Sequence, residues 1–303
     1  MKAVEINNLT KNFKQNCAIN SFSLEIEKGE MFALVGPDGA GKSTLIKMMC
    51  GIVSATSGNI KLFDYDIKNN INEIKKRIGY LSQKFSLYGD LTIDENIEFF
   101  AEIHGVNNYE ARRNELLNFT RLTNFRNRLA AKLSGGMKQK LALACTLIHK
   151  PEILLLDEPT TGVDPVSRRD FWKILSELLH TGITIILTTP YLDEAERCSR
   201  VALINKGKLL QVGTPSEIKN LYKNNLFEII SNDIRRTYTL LKENSLVIEV
   251  QAFGDRIDFA ISNENNLHEI KSYLKGKNII IENIRQISPT LENVFISYLT
   301  EKI

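Results

Sequence analysis

The sequence has no apolar run long enough to cross a bilayer. Its longer runs, such as Ile183–Leu187 and Ile153–Leu156, fall far short of the roughly 20 residues a spanning helix needs. The opening residues, MKAVEINNLTKNF, lack the apolar stretch of a signal peptide, so no leader is expected. Cysteine is scarce and scattered. Cys17, Cys50, Cys145 and Cys198 form no CxxC pair and have no His-rich neighbourhood, which points to buried, reduced thiols in a cytosolic protein rather than to disulfide or metal chemistry. An excess of one charge is also missing. The formal net charge is +3 over 303 residues, which argues against nucleic acid as a partner. Internal repeats and low-complexity segments are absent. What remains is an ordinary soluble composition in a chain long enough for one large domain or two unequal ones. Any membrane connection must then run through a partner.

Residues 1–35 alternate apolar and polar positions (Val4, Ile6; Phe22, Leu24, Ile26) and break at Lys28-Gly29, the pattern of antiparallel strands with tight turns. Met31–Val35 is a short apolar run leading into a glycine-rich loop. An apolar-faced helix follows (Leu45, Ile46, Met49), which Gly51 can end. From about Lys84 helical spacing takes over, and Thr92 with Glu95 fits a capping box ahead of Ile97, Phe99, Phe100 and Ile103. Strand and helix alternate again from Ile153, predicting a mostly parallel sheet covered by helices. A second boundary falls near Gly213-Thr214-Pro215. Beyond it the order reads strand (Leu226–Ile230), helix (Asp233–Glu243), strand (Leu246–Phe253), strand (Arg256–Ile261), helix (Asn266–Lys275), strand (Ile279–Ile284) and a last helix from Thr290, a split βαβ pattern.

Three strings carry chemistry. The stretch Gly36-Pro37-Asp38-Gly39-Ala40-Gly41-Lys42-Ser43, with Thr44 beside it, fits GxxxxGK[ST] between a strand and a helix. Its glycines let successive backbone N–H groups turn inward around phosphates. The lysine meets the β- and γ-phosphates, and the serine hydroxyl ligates magnesium. ILLLDE at Ile153–Glu158 is a buried strand ending in two acids, Asp157 to hold Mg2+ and Glu158 to polarise an attacking water. Together they make a nucleotide-triphosphate site. LSGGM at Leu133–Met137 puts Ser134 at an N-cap and Gly135 and Gly136 at a helix start whose free N–H groups suit an anion. A nucleotide site does not need this third element for itself, and by shape alone it is also an ordinary capped amphipathic helix.

The three strings in this order resemble the ATP-binding subunit of an ABC transporter, over about residues 3–215. The resemblance implies an α/β fold with a P-loop NTPase core, a mostly parallel sheet, an antiparallel β subdomain and a helical insertion at about 84–140. In that family two subunits sandwich two ATP molecules, so Ser134, Gly135 and Gly136 would meet the γ-phosphate held by a second subunit. Gln83 matches the glutamine that senses magnesium and water, and Asp164 the aspartate that crosses the dimer interface. Phe13 takes the place of an aromatic that stacks on adenine, although a core aromatic beside a strand would read the same way. Phe85–Leu91 would face the membrane permease. The tail, residues 216–303, resembles the small α+β domain of ABC-2-type exporters, closest in SPTLENVF from Ser288. This domain either regulates or simply stabilises the dimer. The partners implied are a permease on a separate chain and a second ATP-binding subunit, at the inner face of the cell membrane.

The chain also departs from the family. Pro190 stands where a histidine usually holds the γ-phosphate, and proline offers neither a side-chain donor nor an N–H. Thr189 next to it could supply a hydroxyl, while His149 and His180 lie on other elements. Asp38 replaces a more frequent asparagine, a change that backbone-mediated phosphate binding should survive. Three readings follow: the ATPase subunit of an exporter, a soluble ABC ATPase acting on ribosomes or DNA, and a slow-turnover nucleotide sensor. The single cassette and near-neutral charge disfavour the second, and Pro190 keeps the third open.

Overall fold

A computed structural model describes residues 1–84 and 87–299. The chain divides into two compact units, residues 1–214 and 215–303. In the first, β1 (Lys2–Phe13) and β2 (Asn16–Glu27) form a long antiparallel hairpin whose inward residues alternate as the sequence pattern requires. A turn at Lys28-Gly29 leads to β3 (Met31–Val35), buried at every position. The phosphate-type loop follows, then α1 (Lys42–Met49), which buries Leu45, Ile46 and Met49 and ends before Gly51, held at φ 68°. Two short strands, β4 (Ser57–Leu62) and β5 (Tyr65–Asp66), complete a sheet in the order β2-β1-β4-β5.

After α2 (Ile71–Arg77) and β6 (Ile78–Leu81) the chain turns helical, with α3 (Ile93–Ile103), α4 (Glu110–Phe119) and α5 (Gly135–Leu147). The capping box at α3 is complete: Glu95 N–H donates to Thr92 Oγ1, and Thr92 N–H donates to the Glu95 carboxylate at 2.7 Å. Ile103, expected on the apolar face, lies at the last helical position and is exposed. Of the segment Phe85–Leu91, residues 85 and 86 lie outside the described residues. Asn96 arranges part of the rest, because its buried side chain exchanges hydrogen bonds with the backbone of Tyr88, Leu91 and Thr92.

The chain then re-enters the sheet through β7 (Ile153–Asp157), α6 (Pro165–His180), β8 (Thr184–Thr189), the short α7 (Leu192–Ala195), β9 (Arg200–Asn205) and β10 (Lys208–Gly213). The sheet runs β10-β9-β3-β8-β7-β6. All its neighbours are parallel except the antiparallel β10–β9 pair. β3, β8 and β7 up to Asp157 are apolar or β-branched runs buried at every position, and the core that packs Phe32, Leu34, Leu155 and Ile186 is shared with α1 and with the antiparallel strands β1, β2 and β4. Their C-terminal ends, where ligands bind in open α/β sheets, carry the phosphate-type loop, Asp157 and Thr189. Cys50, Cys145 and Cys198 are buried, whereas Cys17, at an outward position of β2, is exposed, against the expectation for all four.

The second unit contains α8 (Pro215–Lys219), β11 (Asn225–Ser231), α9 (Ile234–Glu243), β12 (Val247–Phe253), β13 (Arg256–Ile261), α10 (Asn266–Gly276), β14 (Ile281–Gln286) and α11 (Leu291–Leu299). Its sheet order β12-β13-β11-β14, antiparallel throughout, is that of a split βαβ module. The last strand starts later than its isoleucines predict. Ile279 N–H closes α10 on Leu274 O, and its side chain joins the core under the helices.

Candidate functional site

The loop after β3 curls over the start of α1. Gly41, the residue before the helix, sits at φ 104°, where a β-carbon would lie 2.7 Å from Ala18 O, so only glycine fits. The Lys42 ammonium is almost fully buried and folds back to donate to the carbonyls of Gly36 at 2.8 Å and Pro37 at 3.1 Å. It also lies 3.7 Å from the Glu158 carboxylate. Among the described residues the Lys42 hydrogen bonds go to two carbonyls, which leaves one ammonium N–H to meet a phosphate oxygen.

At the neighbouring strand end, Ser43 Oγ donates to Asp157 Oδ1 at 2.8 Å, and Asp157 is 1 % exposed. Hard oxygen donors of this kind suit Mg2+, which keeps waters and phosphate oxygens as its other ligands. Among the described residues no group of three or more His, Cys, Asp or Glu side chains could hold a metal by itself. Glu158 follows in the left-handed region at φ 48°, and its N–H donates to Thr188 Oγ1. Gln83 Nε2 donates to Glu158 Oε2 at 2.8 Å. The acids, the lysine, the serine and the glutamine therefore converge on one point.

These groups open onto a cleft of about 580 Å3, lined by Asp38, Gly39, Ala40 and Thr44 as well as Lys42, Ser43 and Glu158. That volume lies within the roughly 300–1,000 Å3 of small-molecule sites. Phe13 stands at its rim and is 46 % exposed, so it is not a core aromatic, and the Lys11 ammonium lies 4.8 Å from its ring centroid. Cys17 and Lys206 line the cleft too, and nothing in their local sequence announces it.

Ser134, Gly135, Gly136 and Asp164 are not among the cleft residues. They gather on a second patch. Ser134 caps α5 by accepting Met137 N–H, and Asp164 caps α6 by accepting from Val166 and Ser167. Those bonds, the Ser167 amide foremost, hold the Asp164 carboxyl below the usual carboxylate range. A β-carbon on Gly136 would lie 2.3 Å from Ser167 Oγ, so α5 rests directly on α6.

Thr189 does not supply the hydroxyl that Pro190 lacks. It is buried, donates to Glu194 Oε2 at 2.7 Å and accepts Tyr191 N–H. Sequence reasoning missed Thr188, Thr160 and Glu194. Thr188 Oγ1 donates to Asp157 Oδ1 across 31 residues, and no local pattern marks such a contact.

The fold and this loop define a P-loop NTPase. Residues 19–161 match the ABC transporter family, and residues 213–299 match the C-terminal domain of DrrA1-3-like ATP-binding proteins. The linearmycin resistance ATP-binding protein LnrL of Bacillus subtilis is 31 % identical over 97 % of this chain and 97 % of its own length. The "Probable multidrug ABC transporter ATP-binding protein YbhF" of Escherichia coli is 42 % identical over 71 % of this chain, which spans 38 % of that relative. An ATP-binding cassette solved as a dimer in a post-hydrolysis state with ADP and Pi superposes at a TM-score of 0.64, with 26 % identity over 70 % of this chain and 98 % of its own. The chain belongs to the ABC transporter family, among its ATP-binding proteins. Among the described residues no helix is long and apolar enough to cross a membrane.

Proposed function

We propose that this chain is the ATP-hydrolysing subunit of an ABC-2-type membrane exporter, working as an ATP-sandwiched dimer. The observation that carries the proposal is the separation of the two patches. The cleft has what holds a nucleotide, while Ser134, Gly135 and Gly136 lie outside it, at a capped helix start where Ser134 and Gly135 are exposed and Gly136 is buried against Ser167. That helix start has an anion to meet only if a second subunit brings one.

In this reading residues 1–215 form the ATP-binding domain, with a helical subdomain at about 84–140, and residues 216–303 a small C-terminal domain. Lys42 and the amides from Asp38 to Thr44 hold the phosphates, and Phe13 stacks on the adenine. Ser43 and Asp157, with Gln83, hold Mg2+, which neutralises charge on the phosphates when bound. Glu158 accepts a proton from the water that attacks the γ-phosphate, giving ADP and phosphate. Gln83 orients Glu158 and reports occupancy toward the helical subdomain. Asp164 reaches across the dimer. The permease is a separate membrane chain, and this subunit sits against its cytoplasmic side. LnrL and YbhF, named for linearmycin resistance and multidrug transport, support export as the direction. The transported molecule would touch the permease and not this chain.

A second reading, a slow-turnover nucleotide sensor, gains support from the spent hydroxyl of Thr189 beside Pro190. One experiment serves both. Glu158→Gln in saturating ATP and Mg2+ should accumulate a stable dimer by light scattering; a variant that folds and binds ATP yet stays monomeric overturns the sandwich. Phosphate release by the parent, with and without the permease, separates motor from sensor.

A further inference from the structure

One buried carboxylate joins the segments that carry the site. Glu194, on α7, is 0 % exposed. Its Oε2 accepts the Thr189 hydroxyl at 2.7 Å. Its Oε1 accepts the Thr160 hydroxyl, Arg168 Nε–H at 2.5 Å and Trp172 Nε1–H at 3.3 Å. A carboxylate withdrawn from water is costly unless its lone pairs are filled, and an apolar side chain would pack here at less cost. Four donors, one of them a guanidinium, fill them. They come from the end of β8, the loop after β7, and α6.

Two of the four donors flank residues of the proposed site, and a third adjoins Pro190. Thr160 lies in the loop between Glu158 and Asp164, and Arg168 is one helical turn beyond Asp164. Thr189 directly precedes Pro190. On the opposite side Thr188 grips Asp157 and the Glu158 amide. Two consecutive hydroxyls thus clamp the end of β8, one to the metal-side acid and the other to Glu194. With proline at 190, no side chain at that position can anchor the segment to a nucleotide. The anchor comes from within the fold.

We propose that Glu194 is a positioning residue for ATP hydrolysis. It locks the Glu158–Asp164 loop and the Thr189–Pro190 segment into one unit, so that Glu158 faces its own nucleotide while Asp164 faces the second subunit in a fixed mutual geometry. This rests on the roles proposed above for Glu158 and Asp164. No atom of the hub lines the nucleotide cleft, so nucleotide affinity is independent of it.

The test compares Glu194→Gln, Thr160→Val and Thr160→Ser in single-turnover hydrolysis, with nucleotide Kd and Tm measured alongside. Arg168 keeps Asp193 as a partner when Glu194 is neutralised, and Thr160→Val keeps the side-chain shape if Glu194→Gln fails to fold. The expected result is a hydrolysis rate lowered at least about tenfold in Glu194→Gln and Thr160→Val, as a small misplacement of a catalytic group produces. Kd should stay within about twofold, and Thr160→Ser should keep the parental rate because its hydroxyl remains. Parental rates in Thr160→Val overturn the proposal, and so does a loss of Kd and Tm in step with the rate, which would mean a structural role only. Glu158→Gln is the separate control. If it hydrolyses at the parental rate, the role of Glu158 fails regardless of Glu194.

Discussion

Gln83 and Glu158 are 75 residues apart in sequence, yet the Gln83 amide donates to the Glu158 carboxylate at 2.8 Å. β6 and β7 are parallel neighbours, so their C-terminal ends bring the two residues together. Gln83 lies two residues beyond the end of β6, from which the helical region departs. Gln83→Ala should lower phosphate release about tenfold or more, the worth of a hydrogen bond to a charged group at about 1.5–3 kcal/mol. Nucleotide Kd, read by isothermal titration, should change little, because the lysine and loop amides remain.

Lys42 is buried to 3 % exposure, so its ammonium is desolvated before any phosphate arrives. Lys42→Ala should weaken ATP binding on the order of 10- to 100-fold, again by the worth of a charge-assisted hydrogen bond. Fluorescence titration checks it. Asp38→Asn, at the exposed lip of the same loop, should bind ATP about as tightly as the parent.

Pro190→His tests the departure from the family. Removing one preorganised donor from a transition-state shell costs on the order of 10²–10³ in rate, and Thr189 is already committed to Glu194. The histidine variant of the purified homodimer should therefore release phosphate faster than the parent. Equal rates would mean that Glu158, Lys42 and Mg2+ suffice.

His149 gives a pH signature. Its ring stacks on His104 with centroids 3.9 Å apart, and Nε2 lies 2.9 Å from Ile78 O. Burial, then the charge of His104, pushes its pKa down to about 4. An unfolded histidine titrates near 6.5, so between about pH 6.5 and 4 the unfolded state binds more protons and stability falls as pH falls. Chemical denaturation should show a stability slope across that window of at most about 1.4 kcal/mol per pH unit from this group. His149→Gln should reduce it, leaving the part that comes from His104, whose pKa burial also lowers.

Local chemistry made the site motifs legible. The loop Gly36–Ser43 is contiguous, its strand and helix flank it, and Asp157 and Glu158 end an apolar run. The Thr92–Glu95 box and the order of elements after Pro215 were equally readable, because caps and periodicity act within a few residues. β4 and β5 were not, since SGNIKL and YD are too short and too polar to alternate clearly. The hub on Glu194 was also hidden. LDEAER reads as a solvated acidic stretch, and only the fold brings Thr160, Arg168 and Trp172 around one of its carboxylates. Thr189 shows the same limit: the sequence placed a hydroxyl beside Pro190, and the fold turned it away.

If each ATP site is built from two chains, two inactive variants with different defects should complement each other when mixed. Lys42→Ala disables the cleft and keeps the Ser134 patch; Ser134→Arg does the reverse. A heterodimer of the two contains one complete composite site. Phosphate release from the mixture should rise well above the sum of the separate variants. A mixture no more active than its two components would mean that the Ser134 patch of one chain does not complete the cleft of the other.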